Sequence, residues 1–127
     1  MLRVSKLDHL VLTVRNIDRT VAFYESVLGM QKEVFSQGRI ALKYGAQKIN
    51  LHQLGDEFEP KAETPTPGSA DLCFITEIPL FEAMEHVKAC QIDIVEGPVD
   101  RTGACKKLWS FYFRDPDQNL IEVANEC

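Results

Sequence analysis

Four side chains in this sequence combine the chemistry and the spacing of a metal site. His9 and His52 offer imidazole nitrogens, and Asp71 and Glu122 offer carboxylates. Asp71 follows His9 by 62 residues and Glu122 follows His52 by 70, so the four fall into two similarly spaced pairs. Two imidazoles and two carboxylates suit a divalent transition metal that keeps open coordination positions. A carboxylate at such a centre, Glu122 or Asp71, can also act as a proton-transfer base. Asp71 has an alternative task, which is to hold His9 or His52 by its outer ring nitrogen.

Further polar and aromatic groups accompany them. Arg101, in the loop Val99-Asp100-Arg101-Thr102-Gly103-Ala104, has the planar fork that clamps a substrate carboxylate or phosphate. Trp109, Phe111, Tyr112 and Phe113 crowd one strand; some must pack beneath a helix, and Trp109 and Tyr112 are assigned to substrate contact. His86 lies off the apolar stripe of its helix and reads as a surface residue. Cys105 has no base beside it in sequence, which argues against a nucleophilic thiol.

These residues need elements to hold them. Residues 7–14 read as a strand, with His9, Val11 and Thr13 on one face and Leu10, Leu12 and Val14 on the other. Asp18 is the expected N-cap of a helix carrying Val21, Tyr24, Val27 and Leu28, and Gly29 its stop. Strands are expected over 31–36, 39–44 and 48–54. A Pro-rich acidic connector, 55–69, is long enough to lie across the surface or cover a site. The order then repeats: a strand over 70–76, a helix opened by Pro79 with the stripe Leu80, Met84 and Val87, and strands over 92–96, 108–114 and 119–124. The chain is therefore a tandem βαβββ repeat, read as a single domain of 1–127 with modules 1–54 and 70–127. Alternation groups Asn50, His52 and Leu54 on one face of the fourth strand, and Leu120, Glu122 and Ala124 on one face of the last.

Composition bounds the rest. The 127 residues carry a net charge of −5 with no basic run, which disfavours nucleic acid. No apolar stretch approaches membrane-span length. Nothing at the start resembles an export signal, and the four scattered cysteines read as cytosolic thiols, so a cytoplasmic protein is expected.

Several stretches are recognisable: Leu-Asp-His-Leu-Val-Leu-Thr-Val (7–14), Phe-Tyr-Glu-Ser-Val-Leu-Gly-Met (23–30), Gln-Lys-Ile-Asn-Leu-His-Gln (47–53), Phe-Glu-Pro-Lys-Ala (58–62) and Arg-Asp-Pro-Asp-Gln-Asn-Leu-Ile-Glu (114–122). Through them the chain resembles the vicinal oxygen chelate superfamily, and within it the glyoxalase domain-containing protein 5 group with its bacterial virulence-associated relatives. The resemblance implies an α+β fold whose paired βαβββ modules form an open barrel-like cleft. It implies one divalent metal (Ni, Co, Mn, Fe or Zn) at His9, His52, Asp71 and Glu122, a small-molecule substrate, and a homodimer. The glyoxalase I pattern has a carboxylate closing the first module and usually His opening the second; His52 and Asp71 reverse this. The chemistry implied is chelation of two vicinal substrate oxygens, in a lyase, isomerase or dioxygenase. The alternative is a metal-free sequestration protein of the bleomycin-resistance type.

Overall fold

Alternating apolar residues and well-placed turn formers build the same unit twice. The computed structural model describes residues 1–127, which divide into units Met1–Pro67 and Gly68–Cys127. The first contains β1 (His9–Val14), α1 (Ile17–Leu28), β2 (Gln31–Phe35), β3 (Arg39–Tyr44) and β4 (Gln47–Gln53). Its sheet order is β1-β4-β3-β2, with β1 parallel to β4 and the other neighbours antiparallel. Leu12, Val14, Leu42, Ile49 and Leu51 are buried with Val21, Tyr24 and Val27 of α1, because two residues per strand repeat and 3.6 per helix turn align their apolar sides. The N-cap is Asn16 rather than Asp18: its side-chain oxygen accepts the Arg19 N–H at 2.9 Å. Asp18 instead sits in the first turn, where its charge complements the helix dipole. Gly29 ends the helix as expected, at φ +67°, a left-handed conformation that favours glycine.

The second unit repeats the plan with β5 (Asp71–Ile75), α2 (Leu80–Ala89), β6 (Glu96–Thr102), β7 (Lys107–Arg114) and β8 (Leu120–Glu126). Its order is β5-β8-β7-β6, with β5 parallel to β8. Leu80, Met84 and Val87 are buried, as are Phe111, Phe113, Ile121 and Val123 of the sheet. Neither sheet closes into a barrel, so the architecture is the expected α+β pair of βαβββ units. No helix is long and apolar enough to cross a membrane.

The strand expected at 92–96 lies instead at 96–102, and Arg101 therefore sits on a strand rather than in a loop. Pro98 cannot donate to a ladder, which disfavours a strand there. It is tolerated because β6 is an edge strand whose register breaks between Glu96 and Val99. Gly97 makes that break possible. It adopts φ +127°, and a Cβ there would lie 2.6 Å from the Phe111 Cβ. Gly97→Ala is expected to cost about 2–4 kcal/mol in urea unfolding, because strain and overpacking add.

Candidate functional site

Each sheet has one face covered by its helix and one that is not. On the helix-free face of the first sheet the register sets three rows across the strands. His9, Lys48 and Lys43 form one row; Val11, Asn50 and Ala41 the next; Thr13, His52, Arg39 and Phe35 the third. His52 is thus opposite Thr13, four residues along from His9, which is about 13 Å of strand. Side chains stand roughly perpendicular to a sheet, so the two imidazoles do not converge within this unit. The residue diagonal to His9 is Asn50.

The local partners sort the two histidines further. His9 is exposed, and its Nδ1 lies 2.9 Å from the Asp8 carboxylate. With Nδ1–H donating to Asp8, Nε2 keeps the lone pair that a metal requires. Asp8, which the sequence reading passed over, thus does the orienting assigned as an alternative to Asp71. His52 is buried, and its Nε2 lies 3.3 Å from Arg39 Nη2. Burial, and then the charge of Arg39, hold its imidazole below the usual pKa. The connector folds back here: Phe58 meets the His52 ring edge-on, with centroids 5.6 Å apart.

In the second sheet the corresponding face carries Asp71 beside Leu120, then Cys73, Glu122, Tyr112 and Glu96 in one row. Asp71 is diagonal to Glu122. Cys73 and Tyr112 flank Glu122 on the neighbouring strands. Burial, then the charge of Glu122, pushes the Cys73 thiol up to about 11, and burial raises Tyr112 as well. Arg101 Nε donates to Tyr112 Oη at 2.8 Å, and Nη2 to Glu96 Oε2 at 2.8 Å. These groups border a hollow of about 330 Å³ that Asp71 and Glu122 also line. Trp109 is on the opposite face, against Phe81 of α2 at 5.1 Å between centroids. It does not join them.

The registers of the two units correspond position by position. His9 corresponds to Asp71, and Asn50, not His52, to Glu122. Each of the latter has a buried oxygen, Asn50 Oδ1 and Glu122 Oε2, with no hydrogen-bond partner. Thr20 Oγ1 and Ser110 Oγ are buried without a partner as well, so what sets Asn50 and Glu122 apart is their matching place in the repeat. Alternation places 50 and 52 on one face alike, and the register separates them. The same correspondence is visible in the sequence as Ile49-Asn50-Leu51 beside Ile121-Glu122-Val123. Within neither unit do three His, Cys, Asp or Glu side chains converge as a complete metal cage.

Two βαβββ units, each with a diagonal pair of donors on its helix-free face, define a paired-module fold. The chain belongs to the Glyoxalase/Bleomycin resistance protein/Dioxygenase superfamily, whose model matches residues 6–123. It is 57% identical to Virulence protein STM3117 of Salmonella typhimurium over 121 residues, covering 95% of this chain and 84% of that protein. Among solved structures it is similar to integron cassette protein VCH_CASS1 from V. cholerae, with TM-score 0.96, 61% identity and 98% of each chain covered. The fold alone is shared with FosX of Listeria monocytogenes, solved with Mn(II) and sulfate, at TM-score 0.67 and 20% identity over 98% of this chain and 93% of that one. It is shared likewise with the antibiotic binding protein TnmS3 of Streptomyces, at TM-score 0.75 and 18% identity over the whole of both chains.

Proposed function

We propose that the chain is a divalent-metal-dependent enzyme of the vicinal oxygen chelate type, with His9, Asp71 and Glu122 as donors and Asn50 in the place first given to His52. The observation that carries this reading is the pair of orphaned oxygens at corresponding positions of the repeat. An imidazole, an amide oxygen and two carboxylates are compatible donors for a borderline or hard divalent ion. Such an ion, when bound, supplies Lewis acidity to two neighbouring substrate oxygens as negative charge develops on them. The chain's own groups then do three things. Asp8 holds the His9 ring in one tautomer. Glu122 or Asp71 takes and returns the substrate proton. Arg101 and Tyr112 form one hydrogen-bonded arm beside Glu122, suited to gripping the substrate's polar end.

Elemental analysis after mild purification is expected to show about one Ni, Co, Mn, Fe or Zn per chain. A protein that is metal-free, and takes up none of these on titration, would sink the reading and leave the metal-free binding protein in its place. The proposal includes a cytoplasmic homodimer, so sedimentation at micromolar concentration should show about twice the 14.4 kDa chain mass. Turnover of the methylglyoxal–glutathione adduct is expected to be poor, because the first unit offers an amide where glyoxalase I offers a carboxylate.

A further inference from the structure

The helix-free face of the first sheet holds a cationic cluster that the metal chemistry does not use. Arg39, half-buried, lies with its guanidinium carbon 4.6 Å from the Phe58 ring centroid and 5.3 Å from that of Phe35. Lys48 Nζ stands 3.8 Å from the same Phe35 ring. Neither cation is ion-paired: Glu33 pairs with Lys43 and Glu59 with Lys61, Asp8 near Lys48 holds His9, and Glu57 near His52 accepts the Gly55 N–H. The protein partner of the guanidinium is His52, and since arginine only donates, His52 Nε2 must accept. A buried imidazole and two rings therefore fix the plane of the guanidinium, leaving its remaining N–H groups without a protein acceptor.

Arg39 is half-buried, held between two rings and unpaired, so its free donors are placed to receive an anion. Guanidinium geometry matches the two oxygens of a carboxylate or phosphoryl group, and stacking on rings spares the entropy of ordering it. We propose that Arg39 with Lys48 forms the subsite for an oxyanion group of the substrate, and that His52 is the residue that positions Arg39. This rests on the reading of the chain as a small-molecule enzyme and names its substrate class: compounds carrying a carboxylate, phosphonate or phosphate besides the reacting oxygens.

The test is an NMR titration of the full chain with inorganic phosphate and, separately, acetate, following the Arg39 Nε–H and His52 ring signals. Saturable shifts at millimolar concentration are expected, and whichever probe binds more tightly identifies the group as phosphoryl or carboxylate. Arg39→Gln should weaken binding at least about tenfold, with Arg39→Lys recovering part of the loss. His52→Leu should weaken anion binding while Ni(II) uptake, measured apart from phosphate, stays as in the parent. The idea is overturned if neither anion shifts Arg39, or if both Arg39 variants titrate like the parent. It is overturned equally if His52→Leu abolishes Ni(II) uptake and leaves anion binding intact. Failure of the metal reading looks different: no Ni(II) uptake by the parent protein, with the Arg39 response preserved.

Discussion

Glu122→Gln is expected to lower metal affinity more than about 100-fold, beyond the 10–100-fold typical of groups that only orient a ligand. The substitution keeps the volume of the side chain but removes its charge from the metal, and Gln offers one weak acceptor for two carboxylate oxygens. Asp71→Asn should be comparably damaging, since Asp71 stands where His9 stands in the first unit and Asp8 already orients that histidine. His52→Ala should cost less than about tenfold, because its ring nitrogen is engaged by Arg39. Asn50→Asp provides the opposite sign: a second carboxylate at the matching position should tighten binding. Competitive chelator titration at fixed pH measures all four, since protons compete for these donors. An equal loss in His52→Ala and Glu122→Gln would return His52 to the metal and displace Asn50.

Asp115→Ala is expected to destabilise the fold by about 3–5 kcal/mol, lowering the thermal midpoint by about 10–20 °C. The Asp115 carboxylate is buried and accepts from Asp117 N–H at 2.9 Å, Asn119 N–H at 3.0 Å and Asn119 Nδ2 at 2.8 Å. Alanine leaves all three donors inside the protein without an acceptor. Asparagine in its place should cost less, because its oxygen still accepts. The effect reaches the donors too. Asn119 Oδ1 accepts the Ala70 N–H at 2.9 Å, joining the turn to the strand that carries Asp71. Loss of less than about 1 kcal/mol would show the turn to be held by its backbone alone.

Much of this architecture is legible in the residues. Leu12 and Val14, Leu80, Met84 and Val87, and the stop at Gly29 follow from periodicity and φ preference, which are local. The hairpin between β7 and β8 follows from turn chemistry at 114–118. What was not legible depends on pairing. Asn50 and His52 are indistinguishable by alternation, and only the parallel register of β1 and β4 shows which one is diagonal to His9. Pro98 concealed β6 because edge position is a tertiary property. Asn16 and Asp18 are both good caps; Asn16 caps the Arg19 N–H, while the Gln53 side-chain oxygen, distant in sequence, accepts the Ile17 N–H at 3.2 Å.

The parallel pairings also bear on the order in which the strands come together during folding. Hairpin partners such as β2 and β3 meet across a few residues, whereas the paired positions of β1 and β4 are about 40 residues apart, and those of β5 and β8 about 50. Loop closure of that span is slow relative to hairpin formation, so the strands bearing His9 and Asp71 dock after the β2–β4 and β6–β8 meanders exist. The diagonal pairs His9–Asn50 and Asp71–Glu122 are then completed only with these pairings. A metal held as proposed above would therefore meet the finished geometry rather than the nascent chain.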